Sequence, residues 1–115
     1  MADLKARILR GRPTKDMNFH ERVWTACARI PRGKVATYSD LAAMVDSPSA
    51  ARAVGQAMNR NPFAPDVPCH RVVGATGGLT GYAGGLDKKT QMLTDEGVEI
   101  ANGKVNLKKH RWRPR

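Results

Sequence analysis

The feature that most constrains the fold is a pair of short helical segments joined by a tight turn. In the first, Thr37 and Asp40 form a capping box at the start of "YSDLAAMV". In the second, Ser47 is a suitable N-cap and Pro48 fits the first helical position of "PSAARAVGQAMNR". The Asn-Pro dipeptide at 61–62 ends this helix, because the residue before a proline avoids helical dihedral angles. Two short helices arranged in this way predict a helix-turn-helix.

The second helix and the overall charge both point towards a polyanionic partner. The polar faces of this helix carry Arg52, Gln56, Asn59 and Arg60. The chain has 20 Lys and Arg residues against 10 Asp and Glu residues, which gives a net charge of +10. A domain this basic commonly binds nucleic acid. The alternative is a charged surface that is solvated and binds nothing, and composition does not decide between the two.

Helical spacing recurs in two further segments, and a turn signal follows the second. Asn18 and Glu21 form another capping box around the start of "FHERVWTACARI", whose apolar face includes Cys27 as a core residue. The segment "LDKKTQMLTDEG" predicts the last helix, and the Asn-Gly dipeptide at 102–103 predicts a hairpin. We therefore expect a mostly α, winged helix-turn-helix-like single domain with a short strand and hairpin element.

The length and the distribution of charge suggest how the chain is organised. At 115 residues there is room for one modest core. We expect a basic N-terminal arm over residues 1–17, the folded domain over residues 18–107 and a basic tail over residues 108–115. Basic ends of this kind either follow a DNA backbone or remain unstructured. Nothing in the sequence indicates an oligomer, so we expect a monomer.

The cysteine, histidine and glycine patterns argue against several kinds of site. The two cysteines form no Cys-x-x-Cys pair and the three histidines are scattered, so no metal site is predicted. The glycine-rich segment "GATGGLTGYAGG" lacks the Lys-Ser/Thr ending of a phosphate-binding loop. No apolar run is long enough to cross a bilayer, and no signal peptide precedes the first motif. We expect a cytoplasmic protein, or a nuclear one in a eukaryote.

The segment "PCHRVV" raises the sharpest question of function. Pro68 closes the proline-rich loop "PFAPDVP", which is stiff enough to hold Cys69 outside regular structure. A thiol attacks only as the thiolate, which a nearby base or cation favours. His70 and Arg71 are candidates, although consecutive side chains of an extended segment point to opposite faces. From these residues alone, Cys69 is a nucleophile, a buried structural cysteine or a metal ligand.

Five motifs in order carry a resemblance that narrows these alternatives. They are "TYSDLA", "AARAVGQAMNRNP", "PCHRVV", "GYAGGL" and "LTDEG". Together they resemble the C-terminal domain of the O6-alkylguanine-DNA alkyltransferases, the methylated-DNA–protein-cysteine methyltransferases. The likeness runs from about Phe19 to Gly97, most of the chain, and the PCHRV motif is highly specific. The expected partner is therefore double-stranded DNA that contains O6-alkylguanine.

The resemblance implies a catalytic role for each matching residue. The alkylated guanine is flipped out of the duplex, because its reactive carbon cannot be reached within the stack. Arg52 fills the space that the base leaves, and Tyr38 helps to rotate the nucleotide and donates towards the departing guanine. Cys69 takes the alkyl group irreversibly and without a cofactor, so that each molecule acts once. His70, through a water and backed by Glu96, is the base that forms the thiolate.

The resemblance also implies which residues contact DNA and which shape the pocket. The helix-turn-helix lies against the minor groove, and the expected DNA contacts are Tyr38, Ala51, Arg52, Gln56, Asn59, Arg60 and Arg71. The expected pocket and supporting residues are Asn61, Pro68, Tyr82, Ala83 and Gly84. The family often has serine at the position of Ala83, so one hydrogen bond to the lesion, worth about 1 kcal/mol, is expected to be missing.

Two further departures from the family support a second hypothesis. Members usually carry an additional N-terminal domain, for which the residues before Asn18 are too few. The ending "QMLTDEGVEIANGKVNLKKHRWRP" resembles the alkyltransferase-like proteins, which are small single-domain relatives. Those relatives bind alkylated DNA and recruit other repair proteins without transferring the alkyl group, and they lack the cysteine. The sequence therefore predicts a single-turnover transferase, with a non-enzymatic lesion-binding protein as the alternative.

Overall fold

The computed structural model describes residues 3–80, 82 and 85–113. In that part of the chain, six helices, four two-residue strands and one 3₁₀ turn follow one another. The helices are α1 (Leu4–Leu9), α2 (Phe19–Cys27), α3 (Tyr38–Met44), α4 (Ala51–Asn59), α5 (Leu86–Asp95) and α6 (Leu107–His110). The strands are β1 (Ala36–Thr37), β2 (Val72–Val73), β3 (Ile100–Ala101) and β4 (Lys104–Val105), and the 3₁₀ turn is Cys69–Arg71.

The strands form two small sheets. β1 and β2 are parallel, with Ala36 opposite Val72. β3 and β4 are antiparallel, and the two residues between them, Asn102 and Gly103, have φ angles of 54° and 72°. Positive φ at both central positions is the requirement of the turn that asparagine and glycine favour. The prediction of a hairpin at 102–103 is therefore confirmed.

The core lies between the helix-turn-helix and the elements around it. α3 packs against α4, and both pack against α2. Val23 and Cys27 of α2, Leu41 of α3 and Val54 of α4 are fully buried in one apolar cluster. A second cluster, around Val73, joins the parallel strands to α5 and the hairpin. The expected mostly α single domain with a helix-turn-helix is confirmed, and none of the described helices is long and apolar enough to cross a membrane.

Of the three predicted helix caps, those at Asn18 and Thr37 form and the one at Ser47 does not. Both capping boxes form, because the side chain of Asn18 accepts from the Glu21 N–H and that of Thr37 accepts from the Asp40 N–H. The prediction that Ser47 caps α4 is wrong. α4 begins at Ala51 without a side-chain cap, because Ser47 belongs to a preceding turn in which its carbonyl accepts from the backbone of residue 50.

Both predicted basic ends are more ordered than their composition suggests. In the expected N-terminal arm, α1 is capped by Asp3 and buries Ile8 completely against α2. In the expected tail, α6 is followed by Arg111, which forms an isolated bridge with Val35, the residue before β1. The guanidinium carbon of Arg29 lies 5.7 Å from the ring centroid of Trp112. Both ends therefore contribute side chains to the main apolar cluster, Ile8 from α1 and Trp112 from the segment after α6.

Candidate active site

Cys69 opens the 3₁₀ turn that follows the proline-rich loop, and its side chain is almost completely buried. Its N–H donates to the carbonyl of Val67 at 2.9 Å. Asn61 holds the loop at both ends, since its Nδ2 donates to the Val67 carbonyl and its Oδ1 accepts from the Phe63 N–H, each at 2.9 Å. The loop therefore presents the thiol from a fixed position, and Asn61 lies where the sequence predicts a brace.

Cys69 and His70 do not lie in an extended segment, because the residues from Cys69 to Arg71 form the 3₁₀ turn and the strand begins only at Val72. The turn arises from an Arg71 N–H that donates to the Pro68 carbonyl at 2.9 Å. Residues of a turn do not point alternately to opposite faces as strand residues do. The geometric objection to cooperation between Cys69 and His70 therefore does not apply.

His70 is 3% exposed and anchored on one side. Its Nε2 lies 2.8 Å from Oε2 of Glu96. Because a carboxylate can only accept, Nε2 carries the proton and Nδ1 is left with a free lone pair. Nδ1 is fully buried and has no hydrogen-bond partner in the described part of the chain. Burial lowers the pKa of His70, against the opposing effect of Glu96, so the imidazole is held in its basic, neutral form.

Glu96 is the centre of the network behind His70. Burial by itself raises the pKa of this carboxyl, but hydrogen bonds from Arg71, His70 and the Gly33 N–H outweigh it and lower the pKa to about 2. Glu96 therefore stays ionised, and its charge is opposed mainly by Arg71, whose Nη2 donates to Oε2 at 2.9 Å.

Arg71 is placed differently from the sequence prediction. It was expected to contact DNA, but its Nε and Nη2 donate to Glu96 and its Nη1 donates to the carbonyl of Ile30 at 2.8 Å. The side chain is 17% exposed. Arg71 therefore supports the Glu96 site, and its predicted contact with DNA stays a prediction.

Lys89 is a site residue that sequence reasoning missed. It is 1% exposed, and its Nζ donates to the carbonyls of Val72 at 2.6 Å and Thr80 at 2.8 Å. Burial lowers the pKa of Lys89 to about 8, although the nearby Cys69 acts in the opposite direction. A signal was present, since Lys89 occupies the apolar face of α5, three residues after Leu86 and four before Leu93.

The two cysteines have different surroundings. Burial raises the pKa of Cys69, and the Asn61 side chain and the charge of Lys89 oppose that rise. Burial also raises the pKa of Cys27, which is completely enclosed in the core as predicted. Both carry free thiols. A thiol that is buried in apolar surroundings is inert, whereas one beside a cation and a base can be activated, so only Cys69 has the setting of a nucleophile.

A cavity of about 340 Å³ opens onto Cys69. Its described lining residues are Met58, Asn61, Ala64, Pro65, Cys69, Tyr82, Lys88 and Met92. The hydroxyl of Tyr82 contacts Sδ of Met92 at 3.5 Å. Mostly apolar walls with a few polar groups suit a flat organic ring. Of the other predicted pocket residues, Pro68 precedes the thiol, and Ala83 and Gly84 lie outside the described residues.

A second cleft, of about 480 Å³, runs along α4. It is lined by Tyr38, Ser39, Ala51, Arg52, Gly55, Gln56, Asn59 and Ala75. The structure thus brings together the predicted DNA contacts of α3 and α4, with Arg60 exposed at the end of α4 outside this lining. A Cβ on Gly55 would lie 3.9 Å from Cε1 of Tyr38, which is an ordinary van der Waals contact, so the Tyr38 ring lies directly over this part of α4.

Thr80 connects the cleft to the thiol site. Its carbonyl accepts from the Tyr38 hydroxyl at 3.2 Å and from Nζ of Lys89 at 2.8 Å. Tyr38 of the cleft and the buried Lys89 are therefore joined through a single backbone carbonyl. In the described residues, no group of three or more metal-ligating side chains is present.

Comparison with known proteins places this arrangement in a family. Residues 18–98 match the family model described as 6-O-methylguanine DNA methyltransferase, DNA binding domain. The chain belongs to this methyltransferase family. The matched residues include α3 and α4, the Cys69 turn and Glu96, so the network around the thiol lies within the region that defines the DNA-binding domain of the 6-O-methylguanine DNA methyltransferases.

Named relatives in the methyltransferase family agree over the same region. The methylated-DNA–protein-cysteine methyltransferase of Methanosarcina acetivorans is 54% identical over 79 residues, which are 69% of this chain and 51% of the relative. That of Mycobacterium leprae is 53% identical over 82 residues, 71% of this chain and 50% of the relative. The chain therefore spans about half the length of the curated relatives that it matches.

Solved structures of relatives include both full-length and short proteins. The Mycobacterium tuberculosis OGT in complex with DNA superposes with a TM-score of 0.68 and 48% identity, over 75% of this chain and 51% of that one. S. pombe Atl1 in complex with damaged DNA containing O6-carboxymethylguanine superposes with a TM-score of 0.76 and 38% identity, over 84% of this chain and 95% of that one. This chain therefore matches nearly the whole length of the Atl1 chain but only about half of the Mycobacterium tuberculosis OGT chain.

Proposed function

We propose that this protein repairs DNA by moving an alkyl group from O6 of guanine to Sγ of Cys69, once per molecule. The observation that carries the proposal is the state of His70, which is fixed through Nε2 on an ionised Glu96 and keeps a buried, unpartnered Nδ1. A base in this state, next to a cysteine that opens onto a cavity, is what formation of a thiolate requires.

The transfer is a displacement at the carbon attached to O6. The Cys69 thiol loses its proton to Nδ1 of His70 through a water, and the positive charge of Lys89 favours the thiolate. A bond forms between Sγ and the alkyl carbon as the bond from that carbon to O6 breaks. The electron pair passes to the guanine, which takes up a proton from the hydroxyl of Tyr38. The tyrosinate then regains a proton from solvent, and His70 releases to solvent the proton that it took from the thiol, so that no net charge is left. The product is a thioether, which water does not cleave, so the protein acts once.

Access to the lesion requires that the base leave the duplex, because O6 is otherwise enclosed in the stack. The cleft along α4 is the surface that we assign to the minor groove. Arg52 lies exposed on its rim and fills the gap that the base leaves, while Tyr38 guides the nucleotide towards Cys69. The complexes of the Mycobacterium tuberculosis and S. pombe relatives with DNA support this assignment.

The test is the mass of the intact protein after incubation with a duplex that carries one O6-methylguanine. We expect the gain of one methyl group, located on Cys69 by peptide mapping, in an amount equal to the guanine restored. An unchanged mass would overturn the proposed transfer. If the unchanged protein still bound the lesion selectively, the result would favour a non-enzymatic protein that recruits other repair factors, an alternative motivated by the 95% coverage of Atl1.

Replacing Arg52 by alanine is expected to weaken binding to a lesion duplex by about tenfold to a hundredfold, because nothing then occupies the gap in the stack. The measurement is the dissociation constant for duplexes with and without O6-methylguanine at fixed salt. Arg60→Ala is the matched control. As a phosphate contact outside the cleft, Arg60 is expected to weaken both complexes equally and by a smaller factor. An equal loss for both duplexes in the Arg52 variant would contradict the assigned role.

A further inference from the structure

A second buried histidine lies at the end of α6, behind the Glu96 network. His110 is 6% exposed. Its Nε2 accepts from the backbone N–H of Glu99 at 3.0 Å, and its Nδ1 faces the carbonyl of Gly33 at 3.3 Å. A backbone N–H can only donate and a carbonyl can only accept. His110 is therefore neutral with its proton on Nδ1, the opposite tautomer to that of His70.

Gly33 connects this histidine to the proposed active site. While its carbonyl accepts from His110, its N–H donates to Oε1 of Glu96 at 3.1 Å. The other oxygen of Glu96 holds His70 at 2.8 Å. A continuous chain of hydrogen bonds thus runs from Glu99, just before the hairpin, through His110, Gly33 and Glu96 to His70.

The backbone conformation of Gly33 and a close neighbour restrict which residue can stand at this position. Its φ angle is +84°, and a Cβ at this residue would lie 3.3 Å from the backbone carbonyl oxygen of Glu96. The loop therefore passes close to the end of α5 in a conformation that glycine favours. A shift of this loop would change the hydrogen bond between Gly33 and the Glu96 carboxylate directly.

The segment that carries His110 is fixed to β1 independently of the imidazole. The Val35 N–H donates to the carbonyl of His110 at 2.9 Å, and the Trp112 N–H donates to the carbonyl of Val35 at 2.7 Å. Arg111 pairs with Asp40 of α3. Because these contacts hold the backbone in place, replacement of the imidazole can alter the Gly33 loop without releasing the segment.

We propose that His110 is a positioning residue of the methyl-transfer site, which holds Gly33 against Glu96 and so fixes His70 for removal of the Cys69 proton. This inference rests on the proposed function. It adds that the segment after the hairpin contributes to activation of the Cys69 thiol. The charged groups around the chain are Arg71 next to Glu96 and the exposed pair of Glu99 with Lys109.

The test uses iodoacetamide as a probe of Cys69, followed by mass and peptide mapping at a series of pH values. This reagent reports formation of the thiolate and needs no DNA, so the result remains interpretable if methyl transfer itself is absent. His110→Phe keeps an aromatic ring and removes both nitrogens. We expect it to lower the rate at pH 7 about threefold to tenfold and to move the midpoint of the profile to higher pH, because the Glu96 network is loosened.

Two variants separate positioning from a general loss of structure. His110→Gln keeps one acceptor and two donors and is expected to restore most of the wild-type profile. Lys109→Ala removes the neighbouring exposed ion pair and is expected to leave the profile unchanged. A wild-type midpoint in a folded His110→Phe protein would overturn the proposal. If that variant does not fold, His110→Asn, which is too short to reach both partners, is expected to show the same upward shift, and a wild-type midpoint there would overturn the proposal equally.

Discussion

Replacing Cys69 by serine is expected to lower the rate of methyl transfer roughly 10⁴-fold or more, with little change in affinity for the lesion duplex. The thiol is the one group in the proposed mechanism that forms the new bond, and a serine hydroxyl ionises far less readily than a thiol. Serine is slightly smaller than cysteine and more polar, but it faces the cavity, so the walls around Met58 and Tyr82 remain in place. Intact-protein mass and a binding titration measure the two properties separately.

The other cysteine provides the matched control for this experiment. Cys27 is completely buried in the main apolar cluster and does not line the cavity that opens onto Cys69. Cys27→Ala is expected to leave the gain of mass intact while lowering the free energy of unfolding by about 1–2 kcal/mol, through loss of packing. Methylation that persists in Cys69→Ser, or disappears in a folded Cys27→Ala protein, would refute the assignment of the nucleophile.

Replacing Glu96 by glutamine is expected to reduce methyl transfer roughly 10²-fold and to lower the free energy of unfolding by about 2–4 kcal/mol. His70 then loses the anion that fixes its proton on Nε2, and it becomes a weaker base with a less defined orientation. Arg71 is left as a largely buried cation without its partner. Single-turnover kinetics measure the first effect and denaturant unfolding measures the second.

The pH dependence of stability checks the same residue. Because the pKa of Glu96 in the folded protein is lowered to about 2 from an ordinary value of 4.5, its ionised form stabilises the fold fully above that ordinary value. This stabilisation is lost as the pH falls from about 4.5 towards 2. The Glu96→Gln protein should therefore lose less stability over that interval than the wild type. Glu99→Gln removes an exposed carboxyl paired with Lys109 and should change stability little, because solvent screens such a pair. Identical acid profiles for wild type and Glu96→Gln would argue against the network.

Much of the fold was predictable because its signals are local. The capping boxes at Asn18 and Thr37 and the turn at 102–103 depend on residues three or fewer positions apart, and all three form. The thiol site was predictable in a different way, since "PCHR" and Glu96 match a known family residue by residue. The structure then supplied the distances that join them.

What sequence reasoning missed arises from contacts between distant segments. Lys89 can lie on the buried face of α5 because the carbonyls of Val72 and Thr80, both outside α5, accept hydrogen bonds from its ammonium group. Arg71 binds Glu96 because α5 passes beside the 3₁₀ turn. Ile8 near the start of the chain and Trp112 near its end pack with the main apolar cluster, although both lie in strongly basic segments. A pattern of neighbouring residues in the sequence does not show contacts between distant segments.

The bridge between Val35 and Arg111 bears on the order in which the protein folds. Arg111 and Asp40 are 71 positions apart, and His110 and Gly33 are 77 apart. Contacts of such separation form slowly, because a long loop must close before they contribute. The helices α2, α3 and α4 are neighbours in sequence and can associate early. A nascent chain would thus bring α2, α3 and α4 together first and complete the proposed thiol site only when the residues beyond the hairpin join Val35.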